Sequence, residues 1–186
     1  MIAFALIWQV SAAMPLLEQG KFADARPVLE KACAAREANG CYLLGRTLFT
    51  LDQYEAALKV LTPLAATDRA PWRVHDALGS VQEALRRPSD AEGHFRQAIN
   101  GNKRQSPEPS YHFGRFLVRE GRTGEALAVL VPAAETFPAY EPIRFELGRA
   151  YYQTNRLPEA ERQLAAAPTL PEARKLLEKV QKQRGK

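Results

Sequence analysis

The chain has 186 residues, 46% of them hydrophobic and 25% charged, with a net charge of +5. That length suits one domain or one repeat array, and the composition leaves enough apolar side chains to bury a core. The basic balance does not point to nucleic acid: Lys175, Lys179, Lys182, Arg184 and Lys186 crowd the end of a helix, where cations are favoured, and no RNA-recognition motif, zinc-finger spacing or basic run with interleaved aromatics accompanies them.

Residues 1–13 contain no charged side chain, and Val10-Ser11-Ala12 has the small-residue form that signal peptidase accepts, so the segment reads as a short export signal that lacks a Lys or Arg at its start. The alternative is an irregular first helix. Pro15 decides between them: inside a helix it removes a backbone hydrogen bond at a cost of about 3 kcal/mol, whereas a mature chain beginning near Ala13 puts it at a helix start. The apolar run is too short for a membrane span, and no cysteine directly follows it to accept a lipid. A periplasmic or secreted chain is expected, with a cytoplasmic one as the alternative.

From Gly20 onward one pattern returns. The pairs Leu44-Gly45, Leu78-Gly79, Phe113-Gly114 and Leu147-Gly148 lie 34, 35 and 34 residues apart. Twelve positions after each glycine stands a second small residue, Ala57, Ala91, Ala126 and Ala160, and four later a large apolar one, Leu61, Phe95, Leu130 and Leu164. Small residues at these places let two helix backbones approach, and the large ones fill the space beside them. Gly20 to Ala25, with Leu29 and Ala32, match the turn and second helix of an earlier copy whose first helix is irregular.

Between the copies, Thr67 to Ala70 form a turn, with Pro71 placed to start the next helix. Residues 100–109 are the most polar and breaker-rich stretch, hold the one-residue insertion, and read as a surface loop rather than a domain boundary. Pro27 is close enough to a helix start to be tolerated, while Pro63 and Pro132 should shorten or kink their helices. After Ala167 the pattern stops. Pro168 to Pro171 precede a helix whose stripe of Leu176, Leu177 and Val180 is flanked by Lys175, Lys179 and Lys182, as in a final helix that covers the last apolar face of an array.

Two short helices per copy at this period resemble the tetratricopeptide repeat. The resemblance covers about residues 14–168, with repeats near 14–37, 38–71, 72–106, 107–140 and 141–168, followed by a capping helix and basic tail at 169–186. It implies an all-α fold, a right-handed superhelical α-solenoid of about four and a half to five helix pairs plus a C-terminal capping helix. The family's early tryptophan is missing from every copy, its place taken by Cys41, His75, Ser110 and Arg144, and the repeat-ending proline is in register only at Pro138. Cys33 and Cys41 resemble, in spacing, a secreted cysteine-rich branch of such repeats in which the cysteine closing one helix pairs with one opening the next. A disulfide is what that resemblance implies, and two unpaired thiols in a reducing compartment are the alternative.

In such arrays the first helices line the concave face. The resemblance therefore places Tyr42, Arg46 and Phe49, then Arg73, Asp76, Ser80 and Glu83, then Tyr111, Arg115 and Arg119, then Phe145, Arg149 and Tyr152 in the groove. Aromatic rings and arginines are the side chains that most often anchor partners, and together they suit a protein or peptide segment with acidic groups. The arginines could equally pair with carboxylates of the next repeat. The Lys and Asn pattern of chaperone-binding members is not found at these positions.

Nothing in the residues supports catalysis, a cofactor or a metal. His75, His94 and His112 fall in different helices, no P-loop, Gly-x-Ser-x-Gly or dinucleotide fingerprint occurs, and the cysteines are not spaced Cys-x-x-Cys. The expected function is a non-catalytic scaffold of bacterial type for protein partners. A self-assembling structural module and an accessory subunit of an enzyme encoded elsewhere are the alternatives.

Overall fold

The computed structural model describes residues 2–66 and 71–185, with side chains from Val10 onward. Among the described residues there are eleven helices and no strand: α1 (Ile2–Glu18), α2 (Phe22–Ala34), α3 (Ala38–Thr50), α4 (Tyr54–Ala65), α5 (Trp72–Ala84), α6 (Pro88–Asn102), α7 (Glu108–Arg119), α8 (Thr123–Thr136), α9 (Glu141–Gln153), α10 (Leu157–Ala165) and α11 (Pro171–Arg184). The turn expected at Thr67 to Ala70 lies outside the described residues. Packing divides the chain into two compact units, the first ending at Gly101 and the second beginning at Asn102. That division falls inside the stretch 100–109, which the sequence reads as a loop within an uninterrupted array; α6 carries its first three residues, Asn100, Gly101 and Asn102.

The four helix pairs from α3 to α10 are joined by the same contact. Gly45 packs against Leu61, Gly79 against Phe95, Gly114 against Leu130 and Gly148 against Leu164, so closely that a Cβ on any of these glycines would meet the opposing side chain well inside 3 Å. The four large partners are all within 1% of full burial, and burying such a side chain stabilises by about 1.5–3 kcal/mol. Glycine is needed here for lack of a side chain. The first unit's core joins Ala13, Ala25, Leu29, Leu44, Leu48, Ala57, Leu61 and Leu78. In the second unit Ala160, Leu164, Ala173 and Val180 form a cluster over which α11 closes, with Leu176 and Leu177 at its edge.

Among the described residues, six helices end in one device. A residue in the left-handed conformation follows each of α1, α2, α3, α5, α7 and α9, namely Gly20, Arg36, Asp52, Arg86, Gly121 and Asn155. Behind each of them the next amide reaches back across the turn, as Arg87 N–H does to Gln82 O at 2.9 Å and Arg122 N–H to Leu117 O at 2.9 Å. This closes the orphan carbonyls of the helix end. Glycine, Asn and Asp accept that conformation readily, but Arg86 does so at φ 59° and at a steric cost of about 1 kcal/mol. Arg86→Gly is therefore expected to raise stability by up to about 1 kcal/mol, read as a shift in denaturation midpoint, even though it removes a side chain.

Three of the residues that replace the family tryptophan make a bond of their own. Cys41 forms a disulfide with Cys33, with Cα atoms 4.4 Å apart, clamping α2 to α3. Arg144 reaches from α9 to Gln163 Oε1 on α10 at 3.0 Å and to Ala134 O on α8 at 3.2 Å. His75 on α5 meets His94 on α6, with Nδ1 atoms 3.1 Å apart and rings stacked at 5.3 Å. Burial lowers the pKa of both imidazoles, and for His75 the neighbouring His94 lowers it further, while Gln97 and Asp90 oppose the shift at His94.

The pH consequence has a definite sign. Below about pH 6.5 an unfolded histidine takes up a proton, whereas the folded pair resists it, so the unfolded state binds more protons and stability falls with acidification. One proton fits between the two Nδ1 atoms; two cannot. Comparing denaturation midpoints of the wild type and His94→Gln from pH 7.5 to 5 isolates the effect: the wild type should lose more stability, and parallel curves would show that the pair is not linked to folding.

Pro15, Pro63 and Pro132 each lie inside a helix. In the full-length chain α1 runs through Pro15; Ala13 is fully buried and Leu16 and Leu17 pack on the same core, which offsets the lost hydrogen bond. α4 ends two residues after Pro63, as expected of a shortened helix, but α8 continues past Pro132 to Thr136, with Ala133 and Ala134 buried behind the proline.

Candidate functional site

The first helix of a repeat presents an aromatic residue three positions before its packing glycine and an arginine one position after it. These are four apart and lie on the same side of the helix. In three repeats the guanidinium sits over the ring: Arg46 over Tyr42 at 5.9 Å, Arg115 over Tyr111 at 5.6 Å and Arg149 over Phe145 at 5.7 Å. Each such pair is worth about 0.5–1 kcal/mol and, more to the point, holds a long flexible cation in one place. The repeat between breaks the rule with Asp76 and Ser80, and there Arg73 stacks instead on Trp72 at 5.0 Å.

In the first unit Arg46 and Arg73 are exposed on α3 and α5. Both bear on the half-buried Tyr42 hydroxyl, whose pKa burial raises, the arginines lower and Asp76 raises. Asp76 itself is only 8% exposed, closed off from solvent. Phe49 is turned toward the apolar cluster and packs on Tyr54 at 5.6 Å. Ser80 and Glu83 are half-buried.

In the second unit the sequence reading missed the central acid. Glu146, one residue after Phe145, is 2% exposed and accepts both of its short bonds from Arg149 Nη1, at 2.8 and 3.1 Å. Burial raises its pKa, against the pull of Arg149, Arg115 and Arg119. A carboxylate is thus held among three guanidiniums. The available signal was Glu146 three residues before Arg149, an ordinary helical ion-pair spacing, but its burial depends on the helix beside it. Tyr111 packs edge-on against Tyr140 at 6.0 Å, Arg119 is exposed, and Tyr152 lies against the cluster under α11.

Among the described residues no group of three or more His, Cys, Asp or Glu side chains could hold a metal ion, and no helix is long and apolar enough to cross a membrane. The model of the tetratricopeptide repeat family matches residues 16–81 and 117–170. The chain is a tetratricopeptide repeat protein. The unmatched stretch between those segments contains the polar insertion at 100–109.

No curated protein matches this repeat protein. Among solved structures it is similar to PilW, described as a widely conserved type IV pilus biogenesis factor, with a TM-score of 0.86 at 16% identity over 97% of this chain and 86% of that one. It is also similar to a thermophilic tetratricopeptide repeat protein of Thermus thermophilus, TTC0263, with a TM-score of 0.78 at 22% identity over 94% and 98% of the two chains. A third is YrrB, described as having an unusual peptide-binding site, with a TM-score of 0.65 at 21% identity over 89% and 88%. These likenesses establish the repeat fold. The arginine and aromatic pairs are read from this chain's own tetratricopeptide repeats.

Proposed function

We propose that this repeat protein is a non-catalytic scaffold that holds a segment of a partner protein against its first helices, with acidic groups of the partner meeting the arginines. The observation that carries the reading is the recurrence of a ring-backed guanidinium at one register in three repeats. Such cations are already ordered before binding, so less conformational entropy is lost when a carboxylate docks. Family membership supports a protein or peptide as the ligand.

Replacing Arg115 and Arg149 together by Glu should weaken partner capture about tenfold or more, through lost attraction and added repulsion. Both side chains are half-buried and Arg149 pairs with the buried Glu146, so a lowered denaturation midpoint is expected as well, while helix content by circular dichroism below that midpoint should not change. Capture at wild-type strength would move the binding face away from α7 and α9.

The same proposal places the protein outside the reducing cytoplasm, supported by the Cys33–Cys41 bridge. Cleavage after Val10-Ser11-Ala12 would leave Ala13, a fully buried residue of α1, in place. Intact mass of material from the native host tests both statements: a full-length chain carrying two free thiols would count against export.

A further inference from the structure

We propose that His75 and His94 form a two-imidazole chelate for one divalent ion of the zinc and copper class, which clamps α5 to α6 within the first unit. Their Nδ1 atoms meet across the helix pair at 3.1 Å. Zinc binds imidazole nitrogen at about 2.0–2.1 Å, so two nitrogens on one ion, at an angle of about 90–110°, lie about 2.8–3.4 Å apart. The pair already has that bite. Helix packing holds it there: Gly79 packs on Phe95, and His75 stands one turn before that glycine while His94 directly precedes that phenylalanine. Both rings are only half-buried, so an ion from solution can reach them.

Ligation needs a lone pair on each Nδ1, and burial favours the neutral form of both rings, which is the form that ligates. In the hydrogen-bonded pair one Nδ1 carries a proton. On binding, that ring takes the tautomer with its proton on Nε2, so no proton is lost. Gln97 bonds the His94 ring, and Asp90, one turn earlier in α6, acts on it as a negative charge. An outer partner of the first kind fixes a ring's orientation, and a carboxylate favours a cation beside it. Imidazole suits zinc, copper and nickel, whereas magnesium and calcium prefer oxygen. Both cysteines are in the disulfide, so no thiolate competes for the ion. Two protein nitrogens leave the remaining positions to water, which makes the site an exchangeable one, unlike a closed structural zinc site with four protein ligands.

The experiment is a titration of the intact protein with zinc chloride at pH 7.5, followed by NMR of the histidine ring nitrogens. The Nδ1 signals of His75 and His94 should move together and saturate at one ion per chain, while those of His112 in the second unit stay in place. Magnesium chloride should move none of them. His75→Gln and His94→Gln should each weaken zinc binding about tenfold or more, and zinc should raise the urea midpoint of the wild type but not of His94→Gln. Movement of His112 at the same zinc concentration, a zinc-induced shift characteristic of Nε2 ligation, or no shift at millimolar zinc would overturn the chelate. The wild-type spectra decide the matter by themselves, so the outcome stands even where a variant folds poorly.

Discussion

Gly114→Ala is expected to destabilise the second unit by about 1–3 kcal/mol, the cost of overpacking a filled core. Helix propensity alone gives the opposite sign, since alanine is favoured over glycine in a helix interior by about 1 kcal/mol. Packing decides, because the new methyl would run into Leu130 at its branch point as well as at its tips, and Leu130 is fully buried with no room to retreat. Two comparisons make the cause visible in urea denaturation. Gly93→Ala, in α6 where nothing lies within 4 Å of the added carbon, should stabilise by up to about 1 kcal/mol. On a Leu130→Ala background the Gly114→Ala penalty should vanish, giving a coupling energy of similar size to the penalty itself. A penalty unchanged on that background would mean that the glycine is required for some reason other than this contact.

Removing the disulfide by the double substitution Cys33→Ala and Cys41→Ala should cost about 2–3 kcal/mol, chiefly by freeing the short loop in the unfolded chain. The effect should appear in the first unit, where the bridge joins α2 to α3 beside Gly40, whose position against Ala32 leaves no space for a side chain. Reduction of the wild type should lower its urea midpoint to about that of the double variant. Proteolysis sites confined to residues before Gly101 would show that the loss is local, and a midpoint indifferent to reductant would show that the bridge does not hold the unit together.

How much of this is legible in the sequence follows from where each contact lies along the chain. The repeat can be read because its central requirement, a glycine facing a large side chain sixteen residues later, is written in residue types at a regular interval. The pairing of Tyr111 with Arg115 or Phe145 with Arg149 needs only the turn of one helix, so spacing suffices to suggest it. Glu146 escapes such a reading, since a glutamate on a helix surface and a glutamate shut away among three guanidiniums look alike in one dimension. His75 and His94 stand as separate residues in separate helices, and only the crossing of α5 and α6 brings their nitrogens together. At Pro15 the penalty inside a helix is likewise local and visible, while the burial of Ala13 that offsets it in α1 is not.

The order of small and large residues therefore determined by itself that this chain is built of repeated helix pairs, because steric fit between two neighbouring helices is encoded by side-chain volume at fixed separation. Tertiary structure alone decided which charges are enclosed, which histidines touch and that the packing divides at Gly101 and Asn102. Those outcomes depend on desolvation and on contacts between elements, whose free energy is set by what surrounds a residue and not by its type.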